Sequence, residues 1–127
     1  MAKKKTRRKK VKDELDKLSA RYIKIRDGGI CQWCGRNTNI HVSHIIPKSR
    51  GDRYRWDPEN LKCLCYHCHL SVWHKDPIAA MGWFKQKFPE RHKYLERQRQ
   101  RGPKKYTIME LEELRDWYIR AIENEGN

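Results

Sequence analysis

The stretch from Cys31 to His69 decides the fold of this chain. It opens with Cys31-Gln-Trp-Cys34-Gly35, passes Ile40-His41-Val42-Ser43-His44-Ile45-Ile46-Pro47 and Asn60-Leu61, and closes with Cys65-Tyr-His-Cys68-His69. A Cys-x-x-Cys turn brings two sulfurs onto one tetrahedral ion. Four thiolates close the coordination sphere and leave no open position, so the two pairs predict a structural zinc site. Cys63 falls outside this spacing and is expected to be a small packed residue.

Length and composition limit the size of the hydrophobic core. The chain has 127 residues, of which 36% are charged, and this predicts one domain with a small core that needs a metal or disulfides. There is no apolar run long enough to span a membrane, and Met-Ala-Lys-Lys-Lys at the N-terminus lacks the apolar segment of a secretory signal. We therefore expect a cytoplasmic protein with no membrane partner, in which paired cysteines favour metal over disulfides.

The charge favours a polyanionic partner. Lys and Arg number 30 against 16 Asp and Glu, for a net charge of +14, and such chains bind nucleic acid through phosphate contacts. A ribosome-associated or merely soluble basic protein would share this charge. Residues 1–12 are rich in Lys and Arg and are expected to form a disordered arm, which either follows phosphates or is simply a solvated tail.

Hydrophobic spacing predicts the elements around the cysteine stretch. A helix is expected from about Asp13 to Asp27-Gly28-Gly29, with an apolar stripe of Leu15, Leu18, Tyr22 and Ile25. Residues 40–46 read as a strand that Pro47 ends. A short second strand is expected near residues 53–56. The chain from Leu61 to Cys65 then leads into a helix that carries Cys68 and His69.

Helix signals continue to the C-terminus. Asp76-Pro77 starts one helix, residues 89–100 form the next, and residues 101–105 form a linker. Thr107 and Glu110 make a capping box for a last helix, whose apolar stripe comprises Leu111, Leu114, Tyr118 and Ile122. The expected organisation is therefore a basic arm (1–12), a central domain (13–100) and a linker with a C-terminal helix that packs on the core (101–127).

Three pieces of the sequence resemble the HNH endonuclease family. They are Cys31-x-x-Cys34-Gly35, Ser43-His44-Ile45-Ile46-Pro47-Lys48-Ser49-Arg50-Gly51, and Asn60-Leu61-x-x-Leu64-Cys65-x-x-Cys68-His69. The resemblance implies an α+β fold with a small ββα-metal core, zinc knuckles and flanking helices. It also implies metal-dependent hydrolysis of phosphodiester bonds in DNA.

The same resemblance assigns roles to residues. His44 corresponds to the general base, for which imidazole suits neutral pH. Asn60 corresponds to the asparagine that braces the loop and orients this histidine, and His69 to a ligand of the catalytic divalent ion. One or more of Arg50, Arg53 and Arg55 could hold the scissile phosphate, or they could, with Lys48, form a generic phosphate-positioning loop.

The sequence departs from the family pattern at the catalytic ion. Ser43 stands where a stronger ligand, Asp or His, is common, and His41 shares its strand face and could substitute. A further histidine one helical turn after His69 is replaced by Trp73, and His74 comes one residue too late. A poorly ligated, hydrated ion suits Mg²⁺, whereas a histidine ligand favours Mn²⁺ or another transition metal.

Shorter pieces resemble the phage NinG (Rap) recombination proteins. These are Tyr22-x-x-x-Arg26-Asp27-Gly28-Gly29, Arg55-Trp56-Asp57-x-x-Asn60 and Lys105-Tyr106-Thr107-x-x-Glu110-Leu111. This second resemblance implies branched recombination DNA as the substrate. The alternative from another class is a non-catalytic zinc-ribbon protein that binds DNA. A symmetric double-strand cut would need two centres, and hence a dimer.

Overall fold

The computed structural model describes residues 4–125, which combine α-helices with one small sheet. The α-helices are α1 (Arg7–Arg26), α2 (Asp52–Arg55), α3 (Pro77–Lys87), α4 (Pro89–Gln100) and α5 (Ile108–Glu125). The strands are β1 (Ile40–His44) and β2 (Leu61–Cys65), and a π-helix covers His67–Trp73. The predicted α+β class is confirmed. Within the described residues, no helix is long and apolar enough to cross a membrane.

The two strands form an antiparallel hairpin that differs from the predicted one. Ile40 pairs with Cys65 and His44 with Leu61, so the second strand is β2 and the expected strand near residues 53–56 is wrong. The apparent alternation of Tyr54 and Trp56 comes instead from a helical turn, in which Tyr54 N and Arg55 N donate to Gly51 O at 3.2 and 3.3 Å. All five residues of β2 are buried, and four of them, all but Lys62, are apolar.

Strand β1 ends two residues earlier than predicted because an asparagine replaces its partner strand. The side chain of Asn60 accepts from Ile46 N at 2.7 Å and donates to Ile46 O at 2.9 Å. The backbone of Asn60 accepts from Ile45 N at 2.9 Å. These bonds bend the chain out of the sheet immediately after His44.

Helix α1 begins at Arg7, so the prediction of a disordered basic arm is wrong for residues 7–12; residues 1–3 lie outside the described range. Thr6 caps the helix by accepting from Lys9 N at 3.1 Å. Lys5 and Lys9 both pair with Asp13, at 2.8 and 3.1 Å. Pairing of this kind reduces the repulsion among the basic side chains, which would otherwise favour disorder. The predicted helix start at Asp13 is therefore a turn and a half too late.

Helices α1 and α5 pack together, and α1 covers one side of the hairpin. Their shared cluster contains Val11, Leu15, Trp56, Leu111 and Tyr118. The Tyr118 hydroxyl donates to Trp56 O. The predicted stripes are correct except at Ile25, which is 39% exposed, whereas Ile23 is fully buried against Leu61 and Cys63.

Helices α3 and α4 cover the other side, and their predicted boundaries are confirmed. The Asp76 side chain caps α3 by accepting from Ala79 N at 3.2 Å. The predicted capping box of α5 is present, because Thr107 and Glu110 exchange hydrogen bonds of 3.0 and 3.1 Å. Trp33 beside the first cysteine pair stacks on Trp83 of α3 with ring centroids 4.4 Å apart, which ties the knuckle to the helical layer.

Candidate functional site

The four predicted cysteine ligands come together. The sulfurs of Cys31, Cys34, Cys65 and Cys68 all lie within 4.8 Å of one another, and Cys34 Sγ is 3.6 Å from Cys65 Sγ. Tetrahedral zinc with bonds of about 2.3 Å would place two sulfurs about 3.8 Å apart. The arrangement could therefore hold a zinc ion, and the donors are the thiolates that zinc prefers.

Backbone amides support this cluster. Cys34 N donates to Cys31 Sγ and Cys68 N to Cys65 Sγ, each at 3.5 Å. Burial raises the pKa of the Cys31 thiol, but the backbone N–H groups around it outweigh burial and lower the pKa to about 7. Cys63 is separate and fully buried, and burial raises its pKa to about 12. It is a packed residue, as predicted.

His44 lies at the end of β1 with one ring nitrogen fixed. Its Nε2 is 3.0 Å from Arg55 O, and because a carbonyl only accepts, Nε2 carries the proton. The neutral ring then has its lone pair on Nδ1. Burial is the main cause that lowers the pKa of His44 below its ordinary value, and nearby Lys48 acts in the same direction.

Asn60 holds the loop behind His44. It is fully buried, and besides its two bonds to Ile46 it donates to Tyr54 O at 2.9 Å. Tyr54 precedes Arg55, whose carbonyl accepts from His44. Asn60 is thus linked to His44 through the adjacent carbonyls of Tyr54 and Arg55 in α2.

The π-helix places His69 and His74 side by side. Its hydrogen bonds join residues five apart, as His74 N shows by donating to His69 O at 3.1 Å. His69 Nε2 and His74 Nε2 are consequently 2.9 Å apart. The expectation that His74 comes one residue too late assumed α-helical spacing, and the geometry contradicts it.

His41 contacts the other nitrogen of His69. The two Nδ1 atoms are 3.0 Å apart, so the expected substitute ligand lies on the Nδ1 side of this ring and His74 on the Nε2 side. A hydrogen bond to one ring nitrogen fixes which tautomer the other presents. Burial and the neighbouring His74 and His41 lower the pKa of His69 to about 4, which keeps the ring neutral at physiological pH.

Ser43 is not brought to this cleft. It is buried, and its hydroxyl accepts from Lys62 Nζ at 2.9 Å. Lys62 is itself fully buried and lies 3.3 Å from the ring centroid of Trp73. Burial lowers the pKa of Lys62 well below its ordinary value.

The predicted basic residues separate into different surroundings. Lys48 is exposed and lines the same cleft as His44, His69 and His74. Arg55 is bound to Asp16 of α1 by two hydrogen bonds of 3.0 and 2.7 Å, and Arg53 donates through Nε to Gly102 O at 3.1 Å. Arg50 lines a second cleft on the other side of the Pro47 loop.

Sequence reasoning missed three contributors to the site: His74, Lys62 and Asp16. Residues 67–73 form a π-helix where an α-helix was expected, and residue spacing gave no sign of this. His74 was therefore not predicted as a ligand. The lysine within the otherwise apolar run of β2 was a usable signal, because a charged residue there must be buried with a partner. Asp16 accepts from Arg55 and from Trp56 Nε1, the latter at 2.8 Å, and its position among the charged residues of α1 gave no sign of these distant partners.

Comparison with known families agrees with this geometry. Residues 31–75 match the sequence model of the HNH endonuclease family, whose members are usually nucleases that act on DNA. The matched range contains both cysteine pairs, the hairpin and the π-helix. No curated protein and no solved structure matches the chain. The resemblance to phage NinG proteins, and with it the recombination context, stays a prediction.

Proposed function

We propose that this protein is a metal-dependent endonuclease that hydrolyses phosphodiester bonds in DNA. The observation that carries the proposal is one cleft, of about 540 Å³, lined by His44, Lys48, His69 and His74. It supplies a fixed neutral imidazole, two facing histidine nitrogens and an exposed cation. The HNH match over residues 31–75 supports the same reaction class.

His44 is the proposed general base. Its Nε2–H is held by Arg55 O, so Nδ1 is the nitrogen that takes a proton from the attacking water. The Asn60 hydrogen bonds keep the turn that bears this carbonyl in place. A base positioned in this way is ready at neutral pH because burial favours the unprotonated ring.

His69 and His74 would hold the catalytic divalent ion. Two nitrogen ligands at about 2.1 Å from an ion, with a right angle between them, are about 3.0 Å apart, and their Nε2 atoms are 2.9 Å apart. Such an ion would stabilise negative charge on the phosphate and on the leaving oxygen. Two histidine ligands favour Mn²⁺, Co²⁺, Ni²⁺ or Zn²⁺ over Mg²⁺. His41 orients His69 from the opposite side of its ring.

Lys48 is the proposed phosphate contact within the cleft, and Arg50 would contact a further phosphate of the same DNA strand. Arg55 acts differently, because its guanidinium is already occupied by Asp16. It positions His44 through its carbonyl. The basic surface of α1 would add affinity that does not depend on sequence.

A plasmid nicking assay tests the proposal. Supercoiled DNA is incubated with the zinc-loaded protein and Mg²⁺ or Mn²⁺, and the conversion to open circles is followed. We expect His44→Ala to abolish nicking at saturating ion, and His69→Ala and His74→Ala to raise the Mn²⁺ concentration required. His67→Ala is the matched control, because His67 is an exposed histidine of the same π-helix.

The other predicted functions are separate outcomes of this assay. Wild-type protein that binds DNA but never nicks it with any divalent ion would be a zinc-ribbon binding protein, and the burial of Ser43 away from the cleft favours that outcome. Cleavage of a four-way junction in preference to a linear duplex would support a recombination substrate. Equal cleavage of both would remove it.

A further inference from the structure

A second cleft lies beside the catalytic one and has no role in the proposed reaction. Its volume is about 510 Å³, which is within the range of small-molecule sites. Ile45, Pro47 and Met81 line both clefts. The two clefts therefore share one wall, and a ligand that reaches His44 can extend past these residues into the second cleft.

The inside of the second cleft is apolar and aromatic. Ile46, Tyr54, Phe84 and Leu95 form its buried surface, with the half-buried His92 ring 6.4 Å from that of Phe84. Because these four residues are almost fully buried, the half-buried His92 ring and the exposed Met81 and Pro47 form the accessible part of the wall. Such a surface can pack on the face of a nucleobase, which needs no particular sequence to stack.

The mouth carries the charges that a nucleotide would meet. Arg50 and Arg99 are exposed lining residues, and Glu96 lies 3.5 Å from Arg99. The two cations suit the backbone phosphate, and a carboxylate can accept from the N–H groups on a base edge. This charge pattern, within a chain of net charge +14, does not suit an apolar protein segment.

The walls are fixed in position. Tyr54 Oη lies 2.8 Å from Gln98 O and 2.9 Å from Gly102 O, and its one proton is shared between these two acceptors. A Cβ atom at Gly51 would come within 3.2 Å of Lys104 N, so the 101–105 segment packs directly against the loop. The cleft is thus preformed, and a base would enter it without the cost of ordering the walls.

We propose that this second cleft binds an unpaired nucleobase next to the phosphate that is cleaved. The inference rests on the proposed function, because it requires DNA in the catalytic cleft. It narrows the substrate class to DNA with an unpaired or extruded nucleotide. A fully paired duplex would have to pay the cost of unstacking before it could fill the cleft.

The test uses two oligonucleotide duplexes that differ in one nucleotide. One carries a single extrahelical 2-aminopurine, and the other carries it paired; binding to zinc-loaded protein is measured by anisotropy without added divalent ion, and stacking by 2-aminopurine fluorescence. We expect about tenfold tighter binding of the bulged duplex, which is within the range for stacking one base, together with a change in its fluorescence. Equal affinity for both duplexes would overturn the proposal.

Two exposed positions give clean variants. Ser49→Trp fills the mouth and Arg99→Ala removes a cation from it, so each should reduce the preference toward one. Arg97→Ala removes the same charge from an exposed site of α4 outside the cleft and should keep the preference. A preference that survives both cleft variants overturns the proposal. The proposal is also overturned if Ser49→Trp changes self-association, measured by sedimentation, and leaves the preference intact. That result would mean that the cleft binds a protein surface.

Nicking of supercoiled plasmid by the wild-type protein separates the two proposals. A wild-type protein that never nicks but keeps its preference for the bulged duplex removes the nuclease function and leaves the base-binding cleft. Nicking without any preference has the opposite consequence.

Discussion

Replacement of Asn60 by Ala should destabilise the protein more than any other single polar change in the site. The Asn60 side chain bonds to three buried backbone groups: Ile46 N at 2.7 Å, Ile46 O at 2.9 Å and Tyr54 O at 2.9 Å. Each buried group left without a partner costs roughly 1–3 kcal/mol. Because the loop can relax partly, we expect a total loss of about 3–5 kcal/mol, a large share of the stability of a small domain.

Urea unfolding of the zinc-saturated protein measures this loss. Zinc that dissociates on unfolding contributes its binding free energy to the measured free energy of unfolding. An excess of zinc therefore keeps this contribution the same in every variant. Asn37→Ala is the matched control: the chemical change is the same, the residue is exposed, and its cost should stay within about 0.5 kcal/mol.

The functional consequence of Asn60→Ala follows from the same contacts. Loss of the bond to Tyr54 O frees the turn that carries Arg55 O, and hence the partner of His44. Nicking should fall even in conditions where the variant remains folded. An unfolding midpoint no lower than that of Asn37→Ala, or full nicking activity, would refute the bracing role.

Substitutions in three other parts of the structure should have defined results. The protein should release one zinc per chain when it is unfolded in the presence of a chromogenic chelator. Cys34→Ser should lower both this stoichiometry and the melting temperature. Cys63→Ala is the control and should retain one zinc, because Cys63 is outside the cluster. Asp16→Asn should cost about 1 kcal/mol at neutral pH after solvent screening. Burial raises the pKa of Asp16, but the hydrogen bonds from Arg55 and Trp56 outweigh burial and lower it. The difference in stability from wild type should therefore shrink below about pH 4, where the carboxyl protonates, and a difference that is constant with pH would contradict this. Thr107→Ala removes one half of the capping box and should destabilise by about 1 kcal/mol in thermal unfolding, and an unchanged melting temperature would show that α5 does not need its cap.

The parts of the fold that were predicted correctly depend on local chemistry. Asp76 followed by proline, and Thr107 with Glu110, specify helix starts through contacts within three residues, and both caps form as expected. The cysteine cluster was predictable for a related reason. Each Cys-x-x-Cys turn is local, and the metal preference of thiolates supplies the one long-range pairing.

The errors concern elements whose partners lie far away in the chain. Residues 53–56 have strand-like alternation, but Tyr54 is buried against α4 and Trp56 against α5, so two different clusters produced one misleading pattern. Helix α1 starts at a local cap, Thr6, and its first turn is also held by Arg8, which donates to Tyr106 O at 2.7 Å. The second contact is with a residue nearly a hundred positions away and cannot be read from local spacing.

The π-helix connects the cysteine cluster with the histidine pair of the cleft. Cys68 points into the sulfur cluster while the next residue, His69, faces the cleft. Five residues further on, Trp73 and His74 repeat this division, with Trp73 buried on Lys62 and His74 beside His69. An α-helix would put residues four apart on the same face, and this would pair His69 with Trp73 instead of His74. The wider turn therefore lets one short segment do three things at once: it contributes a thiol to the cysteine cluster, fills the core and presents two imidazoles to the cleft. It follows that loss of the sulfur-bound ion should disorganise the histidine pair as well, whereas removal of either imidazole should leave the sulfur cluster intact.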